Sequence, residues 1–133
     1  MATERVPRIR LRGVPDNSVF VVRGDELDAS LLAADASRFH ERFIEWGRFG
    51  ISAFQATSEP EIDVVCQTRL VRFASVVVFR RADLEMAGVE IVPTFRRPHV
   101  TLCHEQLDEL VTRLLRCEHS VLPNPYNVAD DWM

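Results

Sequence analysis

The sequence contains no lysine, and all 16 of its basic residues are arginine. A GC-rich coding bias produces that pattern on its own. Its functional reading is recognition of phosphate or carboxylate, which a planar guanidinium grips in bidentate fashion and an ammonium does not. Total arginine content cannot separate the two; clustering can. Long hydrophobic runs are also missing: no apolar stretch approaches the ~18 residues of a membrane-spanning helix, and the first residues carry no apolar signal region. Cysteine is scarce. Cys66, Cys103 and Cys117 are odd in number, widely spaced and without a CxxC pair, so they read as reduced thiols and the expected compartment is the cytoplasm. Excess positive charge is absent too. The net charge of −4 argues against a protein that coats nucleic acid non-specifically.

What is present is enough apolar residue, 47%, for one domain of 133 residues. Ser18 to Arg23 and Ser75 to Arg80 are β-rich apolar runs that predict strands. Leu32, Ala36, Phe39, Phe43 and Trp46 recur at spacings of four and three, which predicts a helix from Asp28 to about Arg48. Ile51 to Ala56 follows as a strand. Ser58-Glu59-Pro60-Glu61 has capping-box spacing with an early proline and opens a second helix carrying Ile62, Val65 and Cys66. A short helical turn at Asp83 to Ala87 precedes strands at Val89 to Val92 and His99 to Cys103. The last helix runs from Glu105 to about Cys117. The fold class expected from this order is α+β: a single domain with a mixed or mainly antiparallel β-sheet flanked by about three helices. Residues 1–17 read as a basic N-terminal arm, first as a flexible terminus and second, with Arg8 to Arg12 alternating, as an added edge strand. Val14 to Asn17 reads as a turn, residues 18–122 as the globular domain and 123–133 as an irregular C-terminal tail.

The densest chemistry lies in Arg96-Arg97-Pro98-His99-Val100-Thr101-Leu102-Cys103-His104. Alternation along a strand puts His99, Thr101 and Cys103 on one face, beside two guanidiniums. An imidazole and a hydroxyl next to fixed positive charge suit an anionic substrate, and phosphate fits best. Cys103, His104, Cys117 and His119 are zinc-ligand types in two tight pairs. The helix predicted between the pairs holds them about 18 Å apart at ~1.5 Å per residue, too far for one ion. No metal site is expected.

Three resemblances follow from these residues. His99-Val100-Thr101-Leu102 resembles one half of the signature of two-histidine phosphoesterases, in which a second His-x-Thr/Ser motif completes the acid–base pair; here His119 and Ser120 are adjacent instead. Val21-Val22-Arg23-Gly24, followed by a helix and then Gly50-Ile51-Ser52-Ala53-Phe54, resembles in element order the small ADP-ribosyltransferase-like folds. That resemblance implies that Arg23 clamps a phosphate, that Ser52 braces a nicotinamide pocket and that NAD is the cofactor. His99 stands about where the family's catalytic glutamate would fall. The segments Val21 to Gly24, Phe95 to His99 and Cys117 to Tyr126 resemble small actinobacterial proteins with no assigned activity.

The leading expectation is a small cytoplasmic enzyme acting on RNA or a nucleotide, by phosphodiester cleavage or group transfer, of the kind found as the toxin of a toxin–antitoxin pair. His99, Thr101 and Ser52 are its candidate catalytic residues, with His99 as general acid/base and Thr101 orienting the phosphate. Arg23, Arg96 and Arg97 are its candidate phosphate-binding residues. No cofactor is required by this reading, and NAD enters only through the transferase resemblance. A small protein such as an antitoxin is the expected partner, and no membrane is involved. The alternative is a non-catalytic interaction module, docking through the basic arm, the acidic first helix (Asp35, Glu41, Glu45) and the aromatic tail.

Overall fold

The computed structural model describes residues 5–10 and 18–128. Among them the chain order is β1 (Phe20–Gly24), α1 (Ala29–Arg42), β2 (Phe49–Ala56), α2 (Glu59–Arg69) and β3 (Ser75–Arg80), then α3 (Arg81–Met86), β4 (Glu90–Pro93), β5 (His99–His104), α4 (Leu107–Arg116) and β6 (His119–Pro123). These strands form one sheet in the order β4-β5-β2-β1-β3-β6, antiparallel at every pairing. The α+β class expected from the sequence is what the chain adopts.

Local chemistry explains the helix starts. Asp28 accepts a hydrogen bond from the Leu31 amide at 3.0 Å and caps α1. Ser58 caps α2 by accepting from the Glu61 amide, with Pro60 in the first turn, where its missing N–H costs nothing. Helix α1 ends at Arg42, earlier than its aromatic periodicity predicts. Phe43, Trp46 and Phe39 still cluster, but Phe43 and Trp46 reach the cluster through a turn in which the Trp46 amide donates to the Phe43 carbonyl. Gly47, at φ +72°, completes the reversal into β2.

Strand alternation splits the core between the two sheet faces. On one face Val21, Ile51, Ala53, Val77, Phe79, Val100 and Leu102 bury against Leu32 and Ala36 of α1, Leu84 of α3 and Leu110 and Leu114 of α4. On the other, Val22, Val76 and Val78 bury against Val65 and Cys66 of α2 and against Leu70. Each such aliphatic side chain contributes about 1.5–3 kcal/mol when fully buried. No helix among the described residues is long and apolar enough to cross a membrane.

Both the N-terminal arm and the irregular C-terminal segment make long-range contacts with the body. In the arm, the Arg10 amide donates to the Pro93 carbonyl, the Phe95 amide to the Arg8 carbonyl, and Ile9 bridges Thr94 in antiparallel fashion. Residues 1–4 and 11–17, with the turn expected at Val14 to Asn17, lie outside the described residues. At the C-terminal end the sequence predicts no strand before the tail. His119 to Pro123 is an edge strand paired with β3. Beyond it, buried Asn124 donates its side-chain amide to the carbonyls of Leu70 (2.8 Å) and Phe73 (3.1 Å). Asn127 and the Val128 amide both donate to the Val71 carbonyl. The tail therefore fixes the α2–β3 loop. Residues 129–133, Trp132 among them, lie outside the described residues.

Candidate functional site: an arginine-lined cleft

Strands β1 and β2 pair at Phe20↔Ala56, Val21↔Gln55 and Val22↔Phe54, and the pairing stops there. Beyond that point β1 stays with β3 while β2 continues along β5, so the sheet forks. Helix α1, which connects β1 to β2, presents one side to the fork. Asp35, Arg38, Phe39 and Arg42 follow the i, i+3, i+4, i+7 spacing of a single helix stripe and line a cavity of about 420 Å³. Arg23, Gly24, Gly50, Ser52 and Phe54 supply the strand walls, His99 enters from β5, and Arg69, Leu70, Arg72 and Phe73 close the α2 side. The volume falls in the range typical of small-ligand sites.

The electrostatics are one-sided. Five guanidiniums (Arg23, Arg38, Arg42, Arg69 and Arg72) face one carboxylate, Asp35, giving the cleft walls four positive charges in excess within a chain of net charge −4. Among the described residues Arg42, Arg69 and Arg72 have no carboxylate partner. Arg23 lies deepest. It is 8% exposed; its Nη2 donates to Asp35 at 3.0 Å, and its buried Nε has no hydrogen-bond partner. A buried, unpaired guanidinium nitrogen is costly, because the desolvation of that group is not offset. Asp35 is shared with Arg38. Arg69 donates to the Arg97 carbonyl and lies 6.0 Å from the Phe54 ring centre.

His99 is built into the opposite wall. Its ring stands edge-on to Phe54 and Phe95, at 5.3 and 5.1 Å between ring centres. Its Nδ1 lies 2.9 Å from Thr94 Oγ1, which in turn lies 2.7 Å from Thr101 Oγ1. Arg10 reaches from the arm to donate to the carbonyls of Thr94 and His99, both at 2.8 Å, and so pins the loop that carries the imidazole. Phe95 in that loop holds φ +57°, an unfavourable conformation for an aromatic residue, and its ring is wedged between Phe43 and His99. Burial lowers the His99 pKa to about 4; the Thr94 contact opposes this, while Arg10 and Arg69 lower it further. The imidazole is therefore neutral at pH 7, and with Nδ1 engaged by Thr94, Nε2 is the nitrogen left for a ligand.

Of the residues singled out from sequence, the fold brings Arg23, Ser52 and His99 into this one cleft. Thr101 shares the sheet face of Ser52 and His99, while Arg23 projects from the α1 face at the fork; Thr101 is fully buried and does not line the cavity. The reason is steric. A Cβ at Gly50 would sit 2.7 Å from both the Phe39 ring and the Thr101 methyl, so Phe39 packs over Gly50 and seals Thr101 beneath it. Thr101 positions Thr94, and through it His99, rather than touching a phosphate. Arg96 and Arg97 are exposed and lie outside the cavity lining. The other guanidiniums lining the cleft come instead from α1, α2 and the loop after α2. Asp35, read from sequence as part of an acidic docking face, is the counter-charge of Arg23. A signal for Arg38 and Arg42 was available in the second stripe of α1, where they follow Asp35 at i+3 and i+7; Arg72, in an irregular loop, had none.

The thiols offer no alternative nucleophile. All three are buried, and desolvation raises each, Cys103 to about 11. No group of three or more His, Cys, Asp or Glu side chains among the described residues could hold a metal ion. No family model, curated protein or solved structure matches the chain.

Proposed function

We propose that this protein binds a phosphate group of RNA or of a nucleotide in the forked-sheet cleft and acts on it by phosphodiester cleavage or group transfer. The observation that carries this reading is Arg23, a guanidinium nine-tenths buried, half-satisfied by Asp35 and ringed by four further arginines. A phosphate oxygen can satisfy Nε, and the surrounding charge offsets the dehydration of the anion. One bound phosphate also reconciles a positive cleft with an acidic chain.

In the catalytic form of this reading, His99 Nε2 is the general base. It takes the proton of an attacking hydroxyl as that oxygen bonds to phosphorus. The leaving oxygen departs with the electron pair of the broken P–O bond and is then reprotonated from the imidazolium. Burial leaves His99 a weak base, with a pKa of about 4, and the negative charge of a bound phosphate raises it by stabilising the protonated ring. Arg23 and its neighbours hold the charge that develops on phosphorus oxygens. Ser52, exposed on β2 at the cleft, is a hydroxyl within the same walls.

Titration with ribose 5-phosphate and short oligoribonucleotides, paired with turnover of those oligonucleotides, tests both halves. His99→Gln is expected to keep binding and to lose about 100-fold or more in rate, the usual contribution of a positioned base. Arg23→Gln is expected to lose binding. Absence of binding by every phosphate ligand refutes the proposal; binding without any turnover leaves the cleft as a recognition site and refutes its catalytic half.

ADP-ribosyl transfer is favoured by one observation, the convergence of Arg23 and Ser52. The carboxylate lining the cleft, Asp35, is engaged by two arginines and poorly placed to stabilise a ribosyl cation. Stabilisation of the folded protein by NAD, but not by ribose 5-phosphate, would favour transfer.

A further inference from the structure

We infer that the α2 side of the cleft is a base subsite, so that the ligand is a nucleotide held at both ends: its phosphate by Arg23, its base against Phe54 and Phe73. The inference rests on the phosphate reading above and adds to it the part of the ligand that the arginines do not explain.

Both rings line the cavity, and both are only partly buried. Neither is needed there for charge. Phe73 lies directly on β1: a Cβ built on Gly24 would fall 2.2–2.6 Å from three of its ring atoms, so the ring is seated flat on bare backbone. Its loop is fixed by Asn124, which binds the carbonyls of Leu70 and Phe73. Phe54 is fixed on a strand and braced edge-on by His99. These are rigid aromatic walls, and rigid walls lose little entropy on binding a planar ring. An arginine lies over each ring, Arg72 at 5.0 Å from the centre of Phe73 and Arg69 at 6.0 Å from that of Phe54, and a base stacks by displacing these exposed side chains. Aromatic faces next to guanidiniums are the combination that binds unstacked bases.

The two subsites share one cavity. Arg23 projects from β1 toward α1 and Phe73 covers Gly24 on the other face, and the fork opens one cavity lined by both. A phosphosugar or an inorganic anion would use the arginines and leave the rings idle; a nucleotide uses both.

The test is calorimetric titration of the full chain with inorganic phosphate, ribose 5-phosphate and the four ribonucleoside 5′-monophosphates. At least one nucleotide is expected to bind about 5- to 100-fold more tightly than ribose 5-phosphate, the range of one base–aromatic stack. Phe54→Leu and Phe73→Leu are each expected to remove most of that advantage while leaving ribose 5-phosphate affinity unchanged. Equal affinity of ribose 5-phosphate and all four nucleotides overturns the base subsite and leaves the phosphate reading standing. So does an equal loss for both ligand types in folded leucine variants. If no phosphate compound binds, the phosphate reading fails and this inference with it. Should Phe73→Leu not fold, the wild-type ligand series decides alone.

Discussion

Arg23 donates from Nη2 to Asp35 at 3.0 Å, while its buried Nε has no partner. The carboxylate holds the guanidinium in place without satisfying it. Asp35 is the counter-charge that lets Arg23 fold into the cleft, and under the proposed function it is also the anion an incoming phosphate must compete with. Asp35→Asn should separate the two effects. Phosphate affinity is expected to rise several-fold, and urea denaturation to show a loss of about 1–3 kcal/mol from the missing charged hydrogen bonds. Affinity that falls along with stability would show that Asp35 only shapes the site.

The His99 titration has a definite sign. Its folded pKa, about 4, lies below the ordinary 6.5. Above pH 6.5 the ring is neutral in both folded and unfolded chains and contributes no pH dependence. As pH falls from 6.5 toward 4 the unfolded chain takes up the proton first, so stability declines and then levels off. Allowing for the ring's partial exposure, the loss is about 2 kcal/mol. The wild-type stability difference between pH 7 and pH 4.5 should exceed that of His99→Gln by this amount. Imidazole NMR should place the midpoint near 4 without ligand and higher with ribose 5-phosphate.

Thr101 tests the relay behind the imidazole. In Thr101→Val the shape is kept but Thr94 Oγ1 loses a buried partner at 2.7 Å. Stability should fall by about 1–2 kcal/mol. Phosphate binding should be unchanged, since Thr101 does not reach the cleft. Loss of binding in a folded variant would show instead that the hydroxyl has access to the ligand.

Salt offers a test without substitution. Arg38, Arg42, Arg69 and Arg72 stand at the solvent-facing rim, while Arg23 is buried. Raising ionic strength from about 0.05 to 0.5 M should weaken phosphate binding severalfold by screening the rim charges, and leave a residual affinity that Arg23→Gln removes. Salt-independent binding would place the ligand elsewhere.

Asn124 links the C-terminal segment to the cleft. Asn124→Ala removes two hydrogen bonds, one of them fully buried, to the loop that carries Arg72 and Phe73. A loss of about 2 kcal/mol is expected, with faster amide exchange at residues 70–74. Exchange unaltered in that loop would mean that another contact holds it.

Much of the fold is determined by the sequence alone, because the forces that set it are local. The strands at Ser75 to Arg80 and His99 follow from runs of β-branched and aromatic residues, and the starts of α1 and α2 from Asp28 and Ser58. Strand alternation correctly puts His99 and Thr101 on one face, opposite Phe54 and Ser52 of β2. Periodicity also carries α1 too far, because an aromatic cluster can persist through a turn. The strand β6, His-Ser-Val-Leu-Pro and all of it exposed, is too short to show an alternating apolar pattern. Arg23, Ser52 and His99 are legible as candidates because each sits on a readable strand. Tertiary structure alone decides which arginines join them. The fork between β1 and β2, the Phe39 ring over Gly50 and the loop held by Asn124 are products of long-range packing. Together they exclude Thr101, Arg96 and Arg97 and bring in Arg38, Arg42, Arg69 and Arg72. The clustering that composition could not reveal is a contact between distant segments, and it arises only when the core closes.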